Sequence, residues 1–273
     1  MGDYMTVNVC SVGACGRMCG LVTKTIIENE KKLNLVAAVD SPDSKKKGKD
    51  IGKILGTKKT GILVEGSDKL NTILKEKKVD VIIDFTTPKA SLKNVKKAAE
   101  NNVNVVVGTT GFSDEQKEEM KKIIRENNIS GVIYPNMAVG VNILFKLVKN
   151  ASKMLSDYDI EIIEAHHNEK RDSPSGTAGK IGEIISDVTG KEIKYGRGKE
   201  KQKRGNEIRI HAIRGGDISG DHTVMFAGPG ERIELTHKAS SRKPFASGTI
   251  KAVEFISDKK DGKVHDMGDV LGL

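Results

Sequence analysis

Tryptophan is absent from the 273 residues, and other aromatics are scarce, with four Tyr and six Phe. Proteins that hold single-stranded nucleic acid stack bases on aromatic platforms, so the formal net charge of +9 has few such platforms beside it and nucleic acid is not expected as a partner. No apolar run approaches the ~18 residues of a membrane-crossing helix, and no membrane association is expected. The opening residues, Met1-Gly-Asp-Tyr-Met-Thr6, show no basic stretch leading into an apolar one, so no secretory signal is expected. Gly2 is not read as a lipidation site, because Thr6 runs directly into strand-like Val-Asn-Val. A cytoplasmic location is the expectation. Cysteine is confined to Cys10, Cys15 and Cys19, an odd and clustered set that suits reduced thiols better than disulfides. The spacing lacks the knuckle of a metal site, and no metal is expected. The second half has no cysteine, which excludes thioester chemistry there.

Hydrophobic residues at 37% and charged residues at 30% fit a chain that buries a core, and the length suits one or two domains. The basic excess gathers in two loop-like stretches, seven lysines over 45–59 and seven Lys or Arg over 191–204. They read either as solvated surface or as attraction for anionic ligands.

Apolar periodicity alternates in the first half. Strand-like runs at 6–12, 33–39, 79–85, 104–107 and 129–134 are separated by helical patterns at about 17–29, 67–77, 88–101 and 113–127. Strands alternating with helices of this length form right-handed parallel crossovers, which predicts an α/β fold with an N-terminal Rossmann-like, doubly wound parallel sheet. After a helix at about 141–155 the pattern changes. Strands are expected at 160–165, 207–214, 223–227 and 232–237, the later ones parted by Arg214-Gly-Gly-Asp217 and Ala227-Gly-Pro-Gly-Glu231, and a last helix at about 243–256. This predicts a C-terminal α+β domain with a mixed or antiparallel sheet, beginning at the composition break near Asn136-Met-Ala-Val-Gly140.

The densest chemistry lies in Glu164-Ala-His-His-Asn-Glu-Lys-Arg-Asp-Ser-Pro-Ser-Gly-Thr177. It follows a strand and precedes an apolar-periodic helix at 178–188. The first turn of a helix offers unpaired N–H groups and partial positive charge, which suits an anion. Lys170 adds a full charge, and His166 and His167 add groups that exchange protons near neutral pH. A pocket for a small carboxylate- or phosphate-bearing molecule is expected. The plainer readings are a surface lysine, Ser175 and Thr177 as helix caps, and Glu164 and Asp172 as orienters of the imidazoles or the lysine. His211, His222, His237 and His265 are read as structural.

A second motif opens the chain. The first strand runs into Gly13-Ala-Cys-Gly16-Arg-Met-Cys19-Gly20 and then a helix, the arrangement in which a pyrophosphate approaches backbone at a helix N-terminus. Cys19 stands where a third glycine is usual, so the helix is expected slightly farther from its strand. Asp40 ends the second strand. It is read either as an acceptor for adenosine ribose hydroxyls or as a turn-former before Ser41-Pro42, while lysines 45–47 leave a 2′-phosphate acceptable. Asp84-Phe-Thr-Thr-Pro88 and Gly108-Thr-Thr-Gly111 end two more strands, where open parallel sheets bind ligands, though ordinary turns explain them equally well.

These residues together resemble a known family. Gly13-x-x-Gly16-Arg-Met, Asp84-Phe-Thr, Gly108-Thr-Thr-Gly-Phe112, the 164–178 segment and His237-Lys-Ala-Ser-Ser-Arg242 are similar, in order and over nearly the whole chain, to the dihydrodipicolinate reductase family. The resemblance implies reduction of a cyclic dicarboxylic imine by NADH or NADPH on the diaminopimelate route to lysine, in a homotetramer assembled through the sheets of the second domains. It implies a dinucleotide-binding domain at 1–136 with 241–273 packing back, and a substrate-binding and oligomerisation domain at 137–240. By position, His166 and Lys170 resemble the catalytic proton-transfer groups. His167, Gly176 and Thr177 resemble the substrate carboxylate contacts. Gly13, Ala14, Cys15, Gly16, Arg17, Met18, Asp40, Gly108, Thr109, Thr110, Tyr134, Pro135, Asn136, Met137 and Arg242 resemble the cofactor contacts. The alternatives are a different NAD(P)-dependent dehydrogenase on the same architecture, or a non-catalytic sensor or nucleic-acid binder.

Overall fold

Short β-branched runs, too apolar to face water on either side, govern the first part of the computed structural model, which describes residues 6–29, 32–199 and 201–273. The expectations for the first five residues, Gly2 included, lie outside the described residues. The chain forms β1 (Val7–Val12), α1 (Arg17–Asn29), β2 (Leu33–Asp40), α2 (Ile51–Ile54) and β3 (Val64–Gly66). A 3-10 turn at Ser67–Lys69 leads into α3 (Leu70–Glu76), then β4 (Val81–Asp84), α4 (Pro88–Glu100), β5 (Asn104–Val107), α5 (Asp114–Glu126) and β6 (Gly131–Ile133). All four residues of β4 and of β5 are buried, as expected of a sheet covered on both faces. Helix starts follow capping chemistry: Pro88 stands in the first turn of α4, and Ser113 with Gln116 closes a reciprocal capping box on α5. Asn102 and Asn128 leave α4 and α5 in the left-handed region, at φ 56° and 49°.

The second part begins with α6 (Val139–Met154), β7 (Asp159–His166), α7 (Gly176–Thr189), β8 (Glu192–Tyr195), β9 (Glu207–Arg214), β10 (Asp221–Gly228) and β11 (Glu231–Lys238). Its sheet runs β11-β10-β7-β9-β8, antiparallel at the β10 pairings and parallel at β7–β9 and β8–β9. Period-two alternation gives it two unlike faces. Ile160, Ile162, Ile208, Ile210, Val224 and Phe226 are buried on one, and α7 lies against it, with Gly182 facing Ile210 and Ile193. Towards the carboxyl end of β7 the same face turns polar at Glu164, His166 and His222. The basic stretch over 191–204 is only partly a solvated surface. Lys191 is buried and donates to the Tyr158 carbonyl at 2.6 Å, and Arg204 pairs with Asp159 and Glu161.

The chain then returns through α8 (Lys243–Ile256), β12 (Val264–His265) and α9 (Met267–Leu271). The first sheet is parallel throughout, in the order β12-β6-β5-β4-β1-β2-β3. Compact units divide between Ala138 and Val139 and between Pro244 and Phe245, with Phe245–Gly272 belonging to the first unit. One core layer under this sheet joins Val9, Val22 and Ile83 to Ile250, Val253 and Ile256 of α8, and the other joins Val12, Ile82 and Val105 to Met120 and Ile124. Each such Val or Ile contributes roughly 1.5–3 kcal/mol by leaving water. Chain order reverses beside β1, which has β2 on one side and β4 on the other, so a crevice opens beyond the strand ends at that point. Among the described residues no helix is long and apolar enough to cross a membrane.

Candidate active site

In the second unit, strand β7 delivers Glu164 and His166 to the same buried face two residues apart, and the loop that follows folds back over them. Glu164 is fully buried and bonded at both oxygens. Its Oε2 lies 2.6 Å from His166 Nδ1 and 2.8 Å from Arg214 Nη1, while Oε1 accepts from Arg214 Nη2 at 2.8 Å and from the Ser175 N–H at 2.9 Å. Burial by itself would raise the Glu164 pKa. Hydrogen bonds from Arg214, His166 and Ser175 outweigh it and hold the carboxyl below its ordinary range.

Lys170 and His167 sit on the loop and are half-buried. Lys170 Nζ donates to both oxygens of Asp172 at 2.8 and 2.9 Å, which lowers the Asp172 pKa. Backbone bonds fix the loop: the His167 N–H meets Ile218 O at 2.8 Å, and the Gly215 N–H meets His166 O at 3.0 Å. Ser175 is the N-cap of α7, its Oγ accepting from the Ala178 N–H at 3.2 Å. Gly176 opens the helix with nothing within 4 Å of where a Cβ would stand, so its peptide is approachable. Thr177 is half-buried beside it.

Two residues of this cluster escaped the sequence reading. Arg214, the last residue of β9 and the register partner of His166, had served only as the edge of a turn. His222, read as structural, belongs to the cluster: its Nε2 is 3.1 Å from Ser175 Oγ, and its ring meets that of His166 edge-on at 5.2 Å. Burial and then the neighbouring His166 push the His222 pKa down to about 4, so it is neutral at physiological pH. Its pairing with Glu164 across the β7–β10 ladder was not legible before the register was known.

In the first unit the expected cofactor residues gather at the carboxyl ends of β1, β2, β4, β5 and β6. Gly13 takes φ +82°, and a Cβ there would lie 2.7 Å from the Phe85 carbonyl oxygen, so glycine is required. Ala14 is buried, Cys15 and Met18 are half-buried, and Gly16 and Arg17 are exposed at the start of α1. That turn fits a pyrophosphate, with approachable backbone leading into the first unpaired N–H groups of α1. Cys19 is fully buried with Sγ 3.9 Å from the Ile83 carbonyl oxygen, so α1 meets the sheet there through a thiol where a glycine is usual.

Asp40 is engaged in the turn that follows β2. Its carboxylate accepts from the Ser41 N–H at 2.9 Å and Ser44 Oγ at 3.2 Å, yet the side chain stays half-buried at the strand end. Lys46 reaches over the turn to the Cys15 carbonyl oxygen at 3.3 Å. Asp84 is a fully buried acid held by Thr86, Asn94 and Thr109, with burial pushing its pKa up. The Thr109 hydroxyl is thereby committed, donating to Asp84 at 3.0 Å and accepting from the Thr86 N–H at 2.8 Å, so Thr110 carries the exposed hydroxyl of that loop. Gly108 lies against the Phe85 ring. Tyr134 and Asn136 are half-buried and Pro135 is exposed, whereas the Met137 side chain enters the core beneath Thr249 and leaves only backbone for a ligand. Arg242 is exposed and belongs to the second unit. Among the described residues, no group of three or more His, Cys, Asp or Glu side chains is placed to hold a metal ion.

Comparison with known proteins identifies the family. The family pattern described as dihydrodipicolinate reductase, N-terminus, matches residues 7–137, and that described as dihydrodipicolinate reductase, C-terminus, matches residues 140–271. The 4-hydroxy-tetrahydrodipicolinate reductases of Methanococcus aeolicus and Methanocaldococcus jannaschii are each 51% identical over 270 residues, covering 98% of this chain and 99% and 98% of theirs. A dipicolinate-bound dihydrodipicolinate reductase from Paenisporosarcina sp. TG-14 superposes with a TM-score of 0.80 at 28% identity, covering 97% of this chain and 99% of that one. A scyllo-inositol dehydrogenase from Lactobacillus casei, at 14% identity and a TM-score of 0.60, shares the fold alone. On its sequence over both units and on its fold, the chain belongs to the dihydrodipicolinate reductase family.

Proposed function

We propose that this chain reduces 4-hydroxy-tetrahydrodipicolinate to tetrahydrodipicolinate on the diaminopimelate route to lysine, using NADH or NADPH. The observation that carries the reading is the cluster in which a buried carboxylate holds His166 beside the Lys170 loop and the open N-terminus of α7. A bound nicotinamide supplies the hydride. Residues of the chain do the rest. Gly176 and Thr177 offer the first-turn N–H groups and hydroxyl of α7 to one substrate carboxylate, and His167 assists. The 4-hydroxyl leaves as water with a ring proton to give the unsaturated acceptor; Lys170 stabilises negative charge building on that acceptor and, with His166 in its protonated form, supplies the proton that completes the reduction. Because Nδ1 of His166 is engaged by Glu164, Nε2 is the nitrogen that exchanges it.

The cofactor is assigned to the first unit: residues 13–18 at the pyrophosphate, Asp40 at the adenosine ribose, and residues 108–110 and 134–137 along the strand ends; Arg242, which belongs to the second unit, is a further candidate contact. Thr109 and Met137 serve through backbone, since their side chains are committed. Lys46 beside Asp40 makes NADPH acceptable along with NADH. The assembly is a homotetramer formed through the face of the second sheet opposite α7, where Ile163 and Met225 are half-buried and Ile213 is 50% exposed. The location is the cytoplasm.

The test is oxidation of NADH and of NADPH with freshly generated cyclic substrate. The native chain turns over with both, and His166→Ala and Lys170→Ala each lose roughly 10²- to 10⁴-fold in kcat, the usual yield of general acid–base catalysis, while still folding cooperatively. Near-native rates in both variants would overturn the assigned roles.

A further inference from the structure

We propose that Glu164 and Arg214 act as one positioning pair, fixing which nitrogen of His166 exchanges protons and tying that histidine to the loop carrying Lys170. This rests on the proton-transfer role of His166 given above. The two residues end adjacent parallel strands, and Arg214 is the register partner of His166 itself. Glu164 receives four donors, two from Arg214, one from His166 Nδ1 and one from the Ser175 N–H, all within 2.6–2.9 Å. That fills the acceptor capacity of a carboxylate. With an ionised, acceptor-only group at 2.6 Å, His166 carries its proton on Nδ1 in the neutral state, and Nε2 faces away with its lone pair.

Arg214 extends the arrangement. Nη2 also donates to the Asp172 carbonyl oxygen at 2.6 Å, and the Asp172 carboxylate holds Lys170. One guanidinium therefore touches both the group that orients the histidine and the segment that carries the lysine. Burying an ionised carboxylate without a partner is prohibitive, so the arginine is what permits Glu164 to remain charged beside His166. The lowered Glu164 pKa and raised Arg214 pKa accord with this. The Nε–H of Arg214 is buried and has no partner in the structure, so four of its five donors define the brace.

The first measurement needs no variant: ¹⁵N spectra of histidine-labelled protein followed upward in pH until the imidazoles are neutral. The expected result is that the neutral form of His166 keeps its proton on Nδ1, and a neutral form protonated on Nε2 overturns the proposal. In Glu164→Gln, whose amide no longer imposes a single tautomer, a mixture is expected, with kcat reduced roughly tenfold or more but short of the loss on removing the acid itself, and with KM for the cyclic substrate changed by less than about threefold. Arg214→Lys, which lacks the planar fork that grips both Glu164 oxygens while reaching the Asp172 carbonyl, is expected to lower kcat and raise KM together. An unchanged tautomer and kcat in Glu164→Gln, with His166→Ala inactive, overturns the pair alone. Full turnover in His166→Ala overturns the underlying role of the histidine.

Discussion

A single imidazole shows how much of the second unit's chemistry is set by burial. His222 is 4% exposed, bonded to Ser175 Oγ and crowded by His166, and its pKa falls from 6.5 to about 4. The unfolded chain binds a proton here below pH ~6.5, whereas the folded chain does not until about pH 4. The residue's contribution is therefore complete above pH 6.5 and is lost as pH falls towards 4, roughly 3 kcal/mol across the window at ~1.4 kcal/mol per factor of ten. Urea unfolding at pH 7 and pH 4.5 is expected to show this loss, and His222→Gln should shrink the difference between the two pH values. An equal pH response in native and variant protein would refute it. At this scale the sequence was informative where residues sat close together along the chain. Glu164, His166, Lys170 and Ser175 share one segment, while Arg214 and His222 arrive from strands about fifty residues away and were invisible until the ladders aligned them.

Among elements, the turn after β1 and the strand ends of β4 and β5 behave as one unit. Gly13 and Gly108 both abut Phe85, the first at its carbonyl and the second at its ring. Gly13→Ala forces a Cβ into a left-handed backbone as well as against that carbonyl, a penalty of about 1–2 kcal/mol from conformation before any clash. Differential scanning calorimetry should report a lowered Tm, and NADH fluorescence titration a weaker Kd. An unchanged Kd would separate this turn from the cofactor. Long periodic elements were legible from sequence: β5, β9 and α8 fall on their expected residues, while β4 and β6 are shorter than expected at both ends, residues 79–80 and 129–130 leading in and Phe85 and Tyr134 leading out as loop. The four-residue α2, three-residue β3 and two-residue β12 were not legible, since elements this short carry no period and exist only through neighbours. For α2 that neighbour is the buried Asp50, which caps it and takes the N–H groups of Thr60 and Gly61.

For the whole molecule, the uncovered face of the second sheet carries the assembly prediction. Ile163, Met225 and Ile213 lie there beside Thr223, Thr236 and His211, and Ile213 is 50% exposed. The homotetramer proposed above predicts that Ile163→Lys runs as smaller species in sedimentation velocity, whereas Lys49→Glu on the exposed basic loop leaves the mass unchanged; an unchanged mass for Ile163→Lys would remove this face from the assembly. Within the first unit, the end of the chain's first pass at Met137 has a physical anchor that the sequence alone hid. Gly248 of α8 backs directly onto the Met137 peptide and Thr249 reaches its sulfur, pinning the outgoing chain to the returning one. That pinning has a consequence for biosynthesis. Apart from Leu273, the second unit is one continuous stretch and can mature as it leaves the ribosome, but the first lacks the α8 side of its core until Phe245–Gly272 emerge. Nascent chains stalled before residue 245 should thus display a protease-sensitive amino-terminal half beside an already resistant middle.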